Sequence, residues 1–179
     1  MWRWVLFIAF LTPTVVVAQS DVSPRDTSDW TPRARLLLAQ SCVGEAGFDS
    51  SQTGECAAIG WVYVKRVAQM RRRGHTIDLA EMIRRYSQPI RHRRRLWLVT
   101  LNVAANQPRG WPRRWPPWET HYRERWVNML AMVDRWAAGE EPDVCPSATH
   151  FGATTDIPGP RMVRVGCRRP MRNRFYRVR

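Results

Sequence analysis

The sequence predicts a mainly α-helical single domain whose C-terminal segment is irregular and tied by disulfides. Three observations carry that expectation. Apolar residues recur in successive helix-length stretches as far as Trp136, and capping residues, glycines and prolines fall at the ends of those stretches. From Glu140 onward, Pro142, Pro146, Pro158, Gly159, Pro160 and Pro170 forbid a long helix. Four cysteines in a chain with an export signal favour disulfides over metal binding.

Taken in order, Met1-Trp2-Arg3 and the apolar run that follows, ending in Val16-Val17-Ala18, have the charge, apolar length and small-residue site of a secretory signal over residues 1–18. The run is shorter than the roughly 20 residues of a membrane span and Pro13 interrupts it, so no stable span is expected after its removal. A short membrane anchor is the alternative reading. Residues 19–30 are polar and acidic and read as a flexible leader, with the folded domain over residues 31–179.

Thr31 followed by Pro32 is an N-cap with proline at the first helical position, opening a helix that carries Leu36, Leu37, Leu38 and Val43 and ends near Gly44 to Gly47. A second helix is expected over residues 54–73, on Ala57, Ala58, Trp61, Val62, Val64 and Val67, with Gly74 as its stop. Asp78 with Glu81 is a capping-box pattern for a third helix, which Pro89 ends. Leu96, Trp97, Val99, Leu101, Val103 and Ala104 suggest a fourth, followed by a loop rich in proline, arginine and tryptophan over residues 106–117. The clearest helix carries Tyr122, Trp126, Met129, Leu130, Val133 and Trp136 as a core stripe and closes at Gly139. The tail reads as loops with a short strand over residues 162–165.

The 179 residues are 44% hydrophobic and 25% charged, which excludes a disordered tail and a collagen-like repeat. Lys+Arg 29 against Asp+Glu 15 leaves a net charge of +14, and Lys65 is the single lysine, so the expected partner is an anion. Cys42, Cys56, Cys145 and Cys167 allow three pairings. Cys42 with Cys56 and Cys145 with Cys167 are favoured because each pair brackets a short segment, and a loop of the first size is worth about 3 kcal/mol in the chain-entropy account. Zinc is not expected, since the cysteines lack the C-x-x-C spacing and the histidines are scattered.

No phosphate-binding glycine loop, nucleophile elbow or metal pair on one helix face is present. Glu45 stands out, in Val43-Gly44-Glu45-Ala46-Gly47-Phe48 at the end of an apolar helix. A carboxyl group in partly apolar surroundings has its pKa raised and can act as a general acid near neutral pH, and the flanking glycines leave room for a bulky substrate. The alternative is a solvated carboxylate. The loop Ser147-Ala148-Thr149-His150-Phe151-Gly152 offers an aromatic ring and polar groups of the kind that line a sugar groove. The alternative there is Phe151 in the core with His150 capping a backbone group. Tyr86-Ser87-Gln88-Pro89 adds polar groups at a turn.

Together these segments resemble the cell-wall hydrolase family that includes the spore-cortex lytic enzymes. That family opens its domain with a helix leading to Glu-Ala, then a glycine-containing loop and a helix of the form Ala-x-Ala-x-Val-x-x-Asn-Arg-Val. Here Glu45-Ala46 is followed by Gly54 and by Ala57-Ala58-Ile59-Gly60-Trp61-Val62-Tyr63-Val64-Lys65-Arg66-Val67. The family's Gln-Phe-Ser turn has its counterpart in Tyr86-Ser87-Gln88-Pro89, and its Gly-Ala-Thr-His-Tyr or Phe loop in Ser147-Ala148-Thr149-His150-Phe151. Asn173-Arg174-Phe175-Tyr176 resembles the ends of some phage-type members. The loop after Glu45 is longer than in the family, and Lys65 stands where asparagine is usual.

The resemblance implies a lysozyme-like, mainly helical fold, periplasmic or secreted, that cuts the glycan strands of peptidoglycan between N-acetylmuramic acid and N-acetylglucosamine without a cofactor. Glu45 takes the role of catalytic acid, and Tyr86, Ser87, Gln88, Thr149, His150 and Phe151 that of substrate contacts. A lytic transglycosylase needs only the one carboxyl group, whereas an inverting hydrolase needs a second, for which Asp49 and Glu55 are the nearby candidates. Anionic wall polymers are possible additional partners, and nucleic acid is not expected. The competing reading is a non-catalytic basic protein that binds wall polymer, lipopolysaccharide or nucleic acid through Trp111, Trp115 and Trp118 interleaved with Arg109, Arg113 and Arg114.

Overall fold

The computed structural model describes residues 29–91, 118–153, 155–156 and 158–179. The signal segment, nearly all of the leader, the expected helix around Leu96 and the loop over residues 106–117 lie outside the described residues. What remains is mainly helical, with a small three-stranded sheet and two disulfides.

The first helix, α1 (Pro32–Ala46), begins as its sequence dictates: the Thr31 side chain accepts from the Ala34 N–H at 3.1 Å, and Pro32 occupies the first turn. It ends where Gly47 takes φ 80° and donates its N–H to the Val43 carbonyl. Residues 38–43 are all buried, so the second half of α1 is sheathed by other elements, while its first turns reach the surface at Arg33 and Leu36. A one-turn helix, α2 (Ser50–Thr53), intervenes before α3 (Glu55–Arg72), and Gly54 at φ 77° joins the two.

Helix α4 (Leu79–Tyr86) has the expected Asp78 cap, which accepts from the Glu81 N–H at 2.6 Å. Its end departs from expectation. The helix stops at Tyr86, Ser87 is extended, and Pro89 falls inside a separate turn, α5 (Gln88–Arg91). Proline is tolerated in a first turn because the N–H it lacks would have no partner there.

Helix α6 (Trp118–Ala137) buries Trp126, Met129, Val133 and Trp136 of the stripe its spacing predicts, with Tyr122 and Leu130 half-buried against the core. Trp136 meets Trp30 edge-on with ring centroids 4.0 Å apart and Trp61 at 5.7 Å. A methyl group at Gly60 would approach the Trp136 ring to 2.8 Å, so glycine is what lets α3 and α6 close on this cluster. Trp30 is buried and Asp29 pairs with Arg71 at 2.7 Å, so these two residues, expected in the leader, belong to the fold.

The tail is more ordered than its prolines suggest. The segment 150–152, expected as loop, is strand β1 (His150–Gly152). It pairs antiparallel with β3 (Arg174–Val178), which also pairs with β2 (Met162–Arg164), in the order β1-β3-β2. Register sets His150 opposite Tyr176 and Phe151 opposite Phe175. The disulfides join Cys42 to Cys56 and Cys145 to Cys167, the local pairing expected. The first ties the last turn of α1 to the first turn of α3, and the second anchors the start of the sheet segment.

Candidate active site

Glu45 lies in the last turn of α1, where the unpaired carbonyls at a helix C-terminus disfavour a negative charge. Its Oε1 accepts from the Gln88 N–H at 3.2 Å and from the Ser87 hydroxyl at 3.4 Å. Oε2 has no hydrogen-bond partner among the described residues, which leaves it as the oxygen to carry a proton. Burial pushes the carboxyl group up to about 7, against the pull of the two donors, and the negative charge of Asp156 adds to the rise.

The donors reach Glu45 because of one close approach. A methyl at Gly44 would collide with the Pro89 ring, so α5 can sit directly on the end of α1 only over a glycine. Ser87, fully buried between α4 and α5, then points its hydroxyl at the carboxyl group. Gly44 thus acts in packing α5, in addition to any space it leaves for a ligand.

Beneath Glu45 stands Tyr63 of α3, fully buried, with its hydroxyl 3.0 Å from the Ser41 hydroxyl of α1. Burial raises its pKa, and the Glu45 charge raises it further, so the phenol stays protonated. Phe151 of β1 packs edge-on against Tyr63 at 5.6 Å between centroids. One turn along α3, the Arg66 guanidinium lies 3.7 Å over the ring of Tyr86. Burial lowers the pKa of His150, and the nearby Arg66 charge lowers it further, so the imidazole is held neutral, with Nδ1 3.0 Å from the Thr149 hydroxyl.

The segments singled out in the sequence, Glu45, residues 86–88 and residues 149–151, therefore meet around the shared Tyr63 and Arg66. Three contributors were missed. Tyr63 and Arg66 sit in a helix whose apolar pattern reads as core, and the only available signal was Arg66-Val67 matching the Arg-Val of the family motif. Asp156 lies in the proline-rich stretch after β1, where nothing marks it. Its Oδ2 accepts from the Ala153 N–H at 2.8 Å and would be 2.6 Å from a methyl at Gly152, so a glycine again admits the group.

Neither carboxylate proposed from sequence as a second acid faces Glu45. Asp49 is exposed and lies 3.5 Å from Arg125. Glu55, only 1% exposed, accepts the backbone N–H of Asn173 at 2.7 Å and of Arg172 at 3.1 Å. Its work is structural, since it pins the start of β3, where the Asn173 amide donates to the Glu45 carbonyl oxygen at 3.3 Å.

Lys65 is likewise structural. Its ammonium reaches Asp143 at 2.7 Å and the carbonyls of Cys145 and Pro146 at 2.9 and 3.1 Å, holding the loop that leads to His150. Among the described residues no three His, Cys, Asp or Glu side chains converge as a metal site would require, and no helix is long and apolar enough to cross a membrane. Comparison with family models, curated proteins and solved structures finds nothing similar to this chain.

Proposed function

We propose that the chain is an exported peptidoglycan-cleaving glycosidase of lysozyme-like fold in which Glu45 is the general acid. The observation that carries this reading is a carboxyl group that keeps its proton to about pH 7 where two polar segments from distant parts of the chain come together. Two disulfides within the described chain suit an oxidising compartment, periplasmic or extracellular.

In this mechanism Oε2 of protonated Glu45 gives its proton to the glycosidic oxygen as the bond breaks through an oxocarbenium-like state. The donors on Oε1 stabilise the carboxylate that results. Glu45 then takes the proton of the muramic C6 hydroxyl as that oxygen closes on the anomeric carbon. The product is a 1,6-anhydro end, and the enzyme regains its starting state. This transglycosylase course is preferred because it needs one carboxyl group, and of the two candidates for a second, Asp49 is exposed beside Arg125 and Glu55 holds the backbone before β3. Neutral His150, Tyr86 and Phe151 form the flank on which a sugar face would rest.

Digestion of purified sacculi by wild type and Glu45→Gln, read by mass spectrometry of the released muropeptides, tests the reading. Anhydro-muramic ends from wild type and none from the variant are expected. Reducing ends would replace the transglycosylase with a hydrolase, and equal products from both proteins would remove Glu45 from the chemistry.

A further inference from the structure

The largest hollow among the described cavities lies on the sheet side, with a volume of about 720 Å³, and Glu45 is not among the residues that line it. Arg164, Arg168, Arg169 and Arg174 line it, with Asn173 and Phe175 among its other walls. None of these four guanidinium groups is within ion-pair distance of a carboxylate among the described residues. The last 23 residues of the chain hold eight arginines and no acidic residue, so no counter-charge is available locally in sequence either.

The backbone that presents these arginines is fixed. The Cys145–Cys167 disulfide holds one end, the Arg168 N–H donates to the Val144 carbonyl at 2.9 Å, and the Val165 N–H donates to Phe175 at 2.9 Å. Glu55 clamps the far end through the amides of Arg172 and Asn173. Four like charges lining one hollow repel one another, and the fixed backbone keeps their points of attachment close together. Bound anions relieve that repulsion.

We propose that this cleft binds the phosphate groups of a flexible phosphodiester polymer that lacks bases. Phosphate suits the donors because its tetrahedral oxygens can accept from several guanidinium forks at once, whereas a single carboxylate fills one fork. A polymer suits the shape. The cleft far exceeds one phosphate, and Arg169 also borders a second hollow of about 310 Å³ with Ser51, Gln52 and Asn128, where the one carboxylate, Glu141, is paired with Arg135 at 3.4 Å. Nucleic acid fits poorly, since Phe175 is the one aromatic side chain lining the cleft and it is 2% exposed, which leaves bases no ring to stack on. The proposal does not rest on the role of Glu45: such a site would hold the protein on an anionic polymer whatever the chemistry elsewhere.

The probe is fluorescently labelled poly(glycerol phosphate), titrated by anisotropy against the disulfide-intact full chain at several salt concentrations. Arg168→Gln, Arg169→Gln and Arg174→Gln combined should weaken binding about tenfold or more and flatten the logarithmic salt dependence by about three. A control with three exposed arginines elsewhere, Arg33→Gln, Arg72→Gln and Arg73→Gln, should change affinity less than about twofold, because those groups touch no phosphate in the complex. If the triple cleft variant loses its near-ultraviolet circular dichroism, the single variants Arg168→Gln and Arg174→Gln are read instead. Equal losses in cleft and control variants would overturn the site. Tighter binding of oligo-dT with the same number of phosphates, or equal binding of polyglutamate or of inorganic phosphate per charge, would overturn the ligand class. Glu45→Gln should bind the probe as wild type does, so failure of the catalytic reading and failure of this one are separable.

Discussion

The ring of Pro89 rests on the backbone of Gly44, and that contact brings the Ser87 hydroxyl and the Gln88 amide onto Glu45. Two chain segments more than forty residues apart are thereby locked at the candidate acid. Gly44→Ala puts a methyl group inside the Pro89 ring and must push α5 away. Overpacking of this kind costs about 1–3 kcal/mol. Denaturant unfolding should show that loss. Turnover of sacculi should fall more than stability alone explains, because the donors on Oε1 move with α5. A variant as active as wild type would mean that α5 does not position the carboxyl group.

The raised pKa of Glu45 has a consequence for stability as well as for catalysis. In the unfolded chain the group titrates near its ordinary value of 4.5, and in the folded protein near 7. Between those values the folded state holds a proton that the unfolded state has released. Stability contributed by this group is therefore full below pH 4.5 and is lost as pH rises towards 7. The full shift corresponds to about 3 kcal/mol by the proton-linkage relation. Glu45→Gln removes the ionisation and should melt higher than wild type at pH 8, while the difference narrows or vanishes at pH 4. Paired melting curves across that range check the sign: a variant less stable than wild type at pH 8 would contradict a buried, reluctantly ionised carboxyl group.

Much of this arrangement was legible because its signals are local. The Thr31-Pro32 start, the Asp78-Glu81 cap and the α6 stripe each sit within a few turns of sequence, and the small residues around Glu45 mark an unusual carboxyl group without reference to anything distant. The sheet was not legible in the same way. β1 and β2 have three residues each, too few for a period to register. In β3, Phe175 and Tyr176 are adjacent and both buried, as suits a central strand covered from two sides, so the alternation that marks a half-exposed strand is missing. Tyr63 and Arg66 were hidden for the opposite reason. Their helix is buried without a break over residues 55–63, so a phenol there reads as core and the guanidinium one turn on as the start of its less buried end. Glu55 was a candidate second carboxylate only by its nearness to Glu45 in sequence, and the backbone amides of residues 172 and 173 show what it holds.

Asp156 raises the Glu45 pKa through like charge, the smallest of the causes acting there. Asp156→Asn keeps the acceptor for the Ala153 N–H and deletes the charge. The alkaline limb of the pH–activity profile should move to lower pH, since Glu45 then gives up its proton more readily. The displacement should shrink as salt is added, because Asp156 is exposed and its field is screened. A profile that does not move at low salt would show that the two carboxyl groups are not coupled. A large drop in rate at every pH with an unshifted profile would instead make Asp156 part of the chemistry.

Glu55 offers the sharpest separation of structural from catalytic acid. Both of its oxygens accept backbone N–H groups, and the residue is almost fully buried. Glu55→Gln keeps size and one acceptor but replaces the other with an NH₂ group, which must face an N–H donor. Two donors in opposition, with a buried amide left unsatisfied, should cost about 3 kcal/mol. The start of β3 would loosen first, taking with it the Asn173 side chain that holds the Glu45 carbonyl. Hydrogen exchange should therefore report early loss of protection at the amides of residues 172 and 173, and urea unfolding the full destabilisation. At temperatures where the variant is folded, the pH dependence of sacculus cleavage should keep its wild-type shape, because no proton in the proposed reaction passes through Glu55. A changed profile in a stably folded variant would return Glu55 to the list of acids and bases that act on substrate.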